Sequence, residues 1–177
     1  MSDILYTIGH STRLIEEFIA ILKAHGIETL VDVRTVPRSR HNPQFNRDLL
    51  PHSLASAGTG YVHMPGLGGL RHARPDSPNT GWRNASFRGY ADYMQTPEFA
   101  ANLDALIELC RKGRTAVMCA EAVPWRCHRS LIADAVSTRG LEVRHILSAT
   151  AAKPHTPTPF LQVNGGHLSY PGGLTAN

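Results

Sequence analysis

Four short stretches of this 177-residue chain carry side chains able to do chemistry: Ile8-Gly9-His10-Ser11, Asp32-Val33-Arg34, Cys119-Ala120-Glu121 and Cys127-His128-Arg129. His10, Asp32 and Glu121 are of the types that take up and release protons, so they are the candidate general acids and bases. Cys119 is the candidate nucleophile, because Arg126 and Arg129 follow it closely and positive potential lowers a cysteine pKa. Ser11, Arg34, Arg40 and Arg129 form the candidate anion-binding set, since a guanidinium fork matches phosphate and carboxylate oxygens. Cys119, Cys127 and His128, with His10 as a further ligand, offer the thiolate and imidazole groups that suit zinc or another transition metal as cofactor.

Such residues act together only if the chain brings them together, and the hydrophobic pattern says how. Residues 4–9 are an apolar strand-type run. A helix follows it, with Ser11 or Thr12 as its cap, Leu14, Phe18, Ile21 and Leu22 as its stripe and Gly26 at its end. Residues 28–33 form a second strand, parallel to the first by the right-handed crossover rule. A weaker helix around 48–57 leads to a short strand at 61–64. Residues 65–89 show no sustained period and read as a long loop, of the kind that is usually functional or disordered in a compact domain. Thr96, Pro97 and Glu98 then start a clear helix with Phe99, Leu103, Leu106 and Cys110 on one face. Residues 114–119 form a strand, a turn with Pro124 precedes a helix bearing Leu131, Ile132, Ala135 and Val136, and residues 141–147 form the last strand. This alternation implies an α/β fold, a mostly parallel sheet with helices on both faces in a single compact domain over 1–147. Residues 148–177 are rich in Pro and Gly and read as a loosely packed tail. Parallel sheets place ligands beyond their carboxyl edge, which is where three of the four stretches end.

Composition narrows the class. The net charge is only +4, but 15 of the 18 basic residues are Arg and only Lys23, Lys112 and Lys153 are Lys. Arg34, Arg38, Arg40 and Arg47 cluster after the second strand. Arg71, Arg74, Arg83 and Arg88 punctuate the long loop beside Trp82, Phe87 and Tyr90, and guanidinium groups with aromatic faces are the parts of nucleotide and single-strand sites. The plainer alternative is that Trp82 and Phe87 tuck into the core. An odd number of cysteines, three, argues against a disulfide framework and for reduced thiols. Cys110 falls on an apolar stripe and reads as core, and His25, His52, His145 and His155 have no motif around them. No apolar run reaches membrane-span length and Met1-Ser2-Asp3 lacks a secretory pattern, so a cytoplasmic protein without a membrane partner is expected.

The motifs Tyr6-Thr7-Ile8-Gly9-His10-Ser11, Leu30-Val31-Asp32-Val33-Arg34 with Pro37, Ser39, Arg40 and Phe45, Leu67-Gly68-Gly69, and Met118-Cys119-Ala120-Glu121 with Cys127-His128-Arg129 together resemble the domain-of-unknown-function family DUF488, in order from residue 4 to about 147. The resemblance implies a compact α/β domain with a shared polar site at these positions, and it carries no settled activity. A more distant likeness is to rhodanese-type sulfurtransferases, in which Cys119 would be the nucleophile. Glu121 inside the would-be anion loop departs from that pattern, because a carboxylate opposes thiolate formation. The stretch also resembles half of the zinc deaminase signature, but Ser130 stands where the last Cys of that signature would fall.

Three functions stay open on these residues. The first is an enzyme, or enzyme-like domain, whose partner is a phosphate-bearing anionic small molecule or a nucleic acid, held by Arg34, Arg40 and Arg129 while His10 and Glu121 move protons. The second is a sulfur-transfer or thiol enzyme centred on Cys119. The third is a non-catalytic anion or nucleic-acid binding module. Asp32 and Arg34 have a structural alternative, as each other's ion-pair partner.

Overall fold

The structure, a computed structural model, describes residues 4–173. Five parallel strands, β1 (Ile4–Gly9), β2 (Thr29–Asp32), β3 (Gly60–His63), β4 (Thr115–Cys119) and β5 (Glu142–Ser148), and an antiparallel edge strand, β6 (Ala151–Pro154), form one sheet. Its order is β3-β2-β4-β1-β5-β6. The helices are α1 (Ile15–Ala24), α2 (Leu50–Ser56), α3 (Ala85–Tyr93), α4 (Pro97–Lys112) and α5 (Arg129–Thr138). The expected α/β domain, with a mostly parallel sheet covered on both faces, is the fold the chain adopts.

Successive residues of a strand face opposite sides of its sheet, and the core divides accordingly. Leu5, Val31, Val117 and Cys119 pack with Leu103 and Leu106 of α4 and Leu131 and Ile132 of α5. Tyr6, Ile8, Leu30, Ala116 and Met118 pack with Phe18 and Leu22 of α1 and Leu50 and Leu54 of α2. β4 lies between β1 and β2, with Gly9 opposite Cys119 and Asp32 opposite Met118. Backbone bonds from His10 to Cys119, Ser11 to Ala120 and Val33 to Met118 carry the ladder past the strand ends. The three carboxyl ends therefore finish level. Gly9 is needed there because the loop after β4 crosses it, and a Cβ at this position would collide with the Glu121 carbonyl.

Helix boundaries follow their caps. Thr96 accepts from the Phe99 amide with Pro97 in the first turn, as expected for α4. α1 starts later than expected, at Ile15. Its flanking residue is Leu14, which makes no side-chain cap and is exposed, so neither Ser11 nor Thr12 starts the helix and Leu14 is not on its buried stripe. The segment 65–89 also differs, since Asn84 caps α3 by accepting from the Ser86 and Phe87 amides. Gly89 sits inside that helix, and the Arg71 carbonyl passes where its Cβ would be.

Residues 149–173 are not a loose tail, and the rest of the segment read as a tail, 174–177, lies outside the described residues. β6 pairs with β5, a hairpin of β7 (Gln162–Asn164) and β8 (His167–Ser169) follows, and Tyr170 is fully buried in the α4–α5 side of the core. Composition hid this, because the anchoring is done by single aromatic residues. Trp82 packs edge-on against Phe87 and Phe160, and Phe160 against Tyr170. Trp82 and Phe87 thus take the core role that was the plainer alternative. Tyr170→Ala is expected to cost on the order of 3–5 kcal/mol of stability in urea unfolding. Tyr170→Phe, which removes only the hydroxyl bond to Asp134, is expected to cost about 1–3 kcal/mol.

Candidate functional site

Cys119, the last residue of β4, points to the α5 side of the sheet, and Cys127 lies just before α5. Their sulfurs are joined as a disulfide, while Cys110 is free and buried. The expectation of three reduced thiols is corrected here, since an odd count forbids complete pairing but not one pair among three. Cys110, surrounded by core, has its thiol pushed up to about 12 by burial.

Arg129 sets the electrostatics of the pair. It is fully buried, and its guanidinium donates from Nε to Cys119 Sγ (3.0 Å), from Nη1 to Thr7 Oγ1 (2.9 Å) and from Nη2 to the Glu121 carbonyl (2.7 Å). No ion pair to it forms among the described residues. Burial, first, and Arg13 lower its pKa to about 10, so it stays cationic at neutral pH. A buried cation without a counter-charge costs several kcal/mol. The group on its sulfur-facing side that can become an anion is Cys119.

Cys127 has its own partners. The Arg129 amide, in the first turn of α5, donates to its sulfur (3.4 Å), and His128 Nδ1 lies 3.5 Å from it. His128 Nε2 faces the Val33 carbonyl at 3.0 Å. A carbonyl only accepts, so the proton is on Nε2 and Nδ1 presents a lone pair to the Cys127 sulfur. Burial holds the His128 pKa down to about 4, so the ring is neutral near pH 7.

Both cysteines line a cleft of about 330 Å³ together with Arg34, Arg38, Gly69, Phe87, Tyr90, Glu121, Arg126 and His128. Arg38, Glu121 and Arg126 are exposed. Two other cavities, of about 250 and 470 Å³, contain no cysteine.

On the opposite face of the same edge, His10, Asp32 and Arg34 form a separate network. Asp32 is fully buried. Its Oδ1 accepts from the Arg34 amide and Nε, and its Oδ2 from Arg34 Nη2 (2.7 Å) and the Tyr61 hydroxyl (2.6 Å). All four acceptor positions of the carboxylate are filled. Arg34 Nη2 also donates to the Phe45 carbonyl, and the Arg34 carbonyl accepts from His63. His10 stacks on Phe45 at 4.3 Å and donates from Nδ1 to the Ser11 carbonyl, which leaves Nε2 as acceptor for Arg34. Burial lowers the His10 pKa to about 4.

The structure thus brings Arg34, Cys119, Glu121, Cys127 and His128 to one cleft, with Arg129 beneath it. Asp32 and His10 are turned away from the cleft by the alternation of side chains along the strands. Ser11 is half-buried with a left-handed backbone, and Arg40 is exposed and does not line the cleft. Arg34 and Arg129 direct the guanidinium bonds described above to protein acceptors inside the fold. The residues named as possible metal ligands have other partners here. Cys119 and Cys127 hold each other, His128 Nε2 holds Val33, and among the described residues no group of three or more His, Cys, Asp or Glu side chains is arranged to bind a metal.

Sequence reasoning missed Thr7 and Tyr61, which touch the key arginine and aspartate. Thr7 sits at an inward position of an apolar strand, and a buried polar residue on a strand face was the available signal. Gly68 permits a close approach of Thr35, whose Oγ1 a Cβ there would strike.

Level strand ends of a parallel sheet and a paired-cysteine cleft over a buried arginine define an α/β domain with a sulfur-containing site at its carboxyl edge. The family model described as Domain of unknown function DUF488 matches residues 14–136, and the chain belongs to that family. No curated protein and no solved structure matches it. Among the described residues, no helix is long and apolar enough to cross a membrane.

The histidines predict acid lability. His10 and His128, at about 4, and His145, lowered to about 3 chiefly by burial, stay neutral in the fold, while in the unfolded chain they take up protons below about 6.5. The unfolded state then binds more protons, so stability is fully present above about pH 6.5 and is lost as pH falls toward 4. Each such histidine contributes a slope of up to about 1.4 kcal/mol per pH unit. Urea midpoints measured across this window should fall steadily, and a flat profile would contradict the buried neutral state.

Proposed function

We propose that this domain is a dithiol–disulfide enzyme for a small anionic sulfur compound, with Cys119 as attacking sulfur and Cys127 as its resolving partner. The observation that carries the reading is the buried Arg129 guanidinium, which has no carboxylate ion-pair partner among the described residues and gives its Nε–H to the Cys119 sulfur. In the reduced protein the Cys119 thiolate would complete an ion pair there, so the reactive form of the thiol is also the form the interior favours.

The reaction follows from the neighbours. The Cys119 thiolate attacks one sulfur of a substrate disulfide, a mixed disulfide forms and the other substrate sulfur leaves as a thiolate that takes a proton from solvent. His128 Nδ1 accepts the Cys127 proton, and the Cys127 sulfur, under the first amide of α5, attacks Cys119 Sγ. The Cys119–Cys127 bond closes and the second substrate thiolate leaves, taking the proton from His128. A dithiol reductant returns the pair to its reduced state. Arg38 and Arg126 on the rim support an anionic substrate. The same two arginines are the support that remains for a phosphate-bearing ligand, since Arg34 and Arg129 are engaged inside.

Glutathione disulfide is a suitable probe. Reduced wild-type protein is expected to release two thiols and end with Cys119 bridged to Cys127. Cys127→Ser is expected to stop at a mixed disulfide on Cys119, and Cys119→Ser to react at least about tenfold more slowly. Arg38→Ala with Arg126→Ala should weaken the reaction and its dependence on salt. A mixed disulfide that accumulates on Cys127, or no thiol release at all, overturns the proposal. Salt-sensitive nucleotide binding that Cys119→Ser leaves intact would favour the phosphate reading instead.

A further inference from the structure

Arg129 is held on Cys119 by more than its own contacts. Its Nη1 donates to Thr7 Oγ1 at 2.9 Å, and Thr7 Oγ1 lies 2.6 Å from His145 Nδ1. Thr7 and His145 face each other across the paired strands β1 and β5. His145 Nε2 lies 2.9 Å from His155 Nδ1, and His155 Nε2 lies 2.8 Å from Asp134 Oδ1. The Thr158 amide donates to the same carboxylate oxygen, and the Tyr170 hydroxyl to the other. Thr7, Asp134, Arg129 and Tyr170 are fully buried, and the His145 and His155 side chains nearly so. The chain of contacts leaves α5 at Arg129, crosses two strands and the β6 connection, and returns to α5 at Asp134.

With both imidazoles neutral, the proton positions in this chain follow by elimination. An arginine only donates and an ionised carboxylate only accepts. With Asp134 accepting, the His155 proton is on Nε2 and its Nδ1 is bare, so His145 donates to it from Nε2. His145 Nδ1 is then bare and accepts the Thr7 hydroxyl proton, and Thr7 Oγ1 is left to accept from Arg129. Every donor has one acceptor when both imidazoles are neutral, and burial holds His145 in that state by lowering its pKa to about 3. An order of this kind is cooperative and leaves the guanidinium a single low-energy placement.

We propose that Asp134, His155, His145 and Thr7 are a relay of positioning residues that aims the Arg129 guanidinium at Cys119 and thereby sets the reactivity of that thiol. The inference rests on the dithiol reading of the site. It assigns a role to residues outside the matched family segment 14–136, namely Thr7, His145 and His155, none of which touches a sulfur. Loss of any link leaves the guanidinium free to turn from the sulfur, and the thiolate loses its paired cation.

The test is the pH profile of Cys119 alkylation by iodoacetamide in the reduced full-length protein, read by peptide mapping with Cys127 as internal reference. Thr7→Val removes the hydroxyl with little change of shape, and Thr7→Ser keeps it. His155→Phe removes both ring nitrogens at a residue that does not contact Arg129. Thr7→Val and His155→Phe are expected to raise the Cys119 midpoint by about one pH unit, a tenfold loss of thiolate at pH values below it. Thr7→Ser should restore the wild-type profile, and the Cys127 midpoint should stay within the wild-type range throughout. Thermal unfolding is recorded beside it. Variants that unfold at lower temperature but keep the wild-type Cys119 midpoint overturn the relay, as does a Thr7→Ser protein that behaves like Thr7→Val. The two readings fail separately. An ordinary Cys119 midpoint near 8.5 in the wild type removes the dithiol reading, whereas a depressed midpoint that no relay variant moves removes the relay alone.

Discussion

A guanidinium enclosed by protein must find acceptors for its hydrogen atoms and a negative charge to balance it, and the carboxyl edge of this sheet is organised around meeting that demand for Arg129. The acceptors come from a strand threonine, a loop carbonyl and a strand-end sulfur. The charge is not supplied by any carboxylate in an ion pair among the described residues. Bonded to Cys127, Cys119 offers only a weak acceptor. In the proposed dithiol reading the reduced sulfur supplies the missing anion, so reduction of the pair and neutralisation of the interior are linked. Removal of a charge partner from a buried group typically costs several kcal/mol, which is large beside the stability of a domain of this size.

The alternation of side chains along a strand divides the work at this edge. Asp32 and His10 fall on the α1–α2 side, where they fix Arg34, Tyr61 and Phe45 and so hold the β2 loop that forms one wall of the cleft. Thr7 and Cys119 fall on the α5 side, where the proposed thiol chemistry is placed. Val33 joins the two, since its carbonyl takes the His128 proton that fixes which nitrogen faces Cys127. Gly9, with no side chain, permits the crossing loop that brings the Glu121 carbonyl over β1 to Arg129.

Much of this was legible in the residues. Period and capping signals located α4 and the parallel strands, and the rule that parallel sheets work at their carboxyl edge pointed to Cys119, Arg34 and Arg129 before any geometry was known. What stayed hidden depended on contacts distant in sequence. His145 and His155 have no motif around them, and their roles come from facing Thr7 across a strand pair and from Asp134 one helix away. Tyr170 looked like part of a tail because its neighbours are Pro and Gly, yet one buried aromatic ring anchors that segment. The start of α3 reads as loop in the sequence because 65–89 has no sustained hydrophobic period, and the glycine inside that helix is explained only by packing. Residue type alone marked Arg129 as an anion ligand. Burial turned it inward, onto a sulfur.

The most direct test of the central claim isolates one thiol. In reduced Cys110→Ala, Cys127→Ser protein, Cys119 is the only cysteine, and thiolate absorbance in the ultraviolet can be followed against pH. A midpoint well below about 8.5 is the predicted result, because the buried guanidinium holds the sulfur as an anion. A midpoint at or above that value, in protein that keeps its native circular dichroism, would show that Arg129 does not charge the sulfur and would contradict the account.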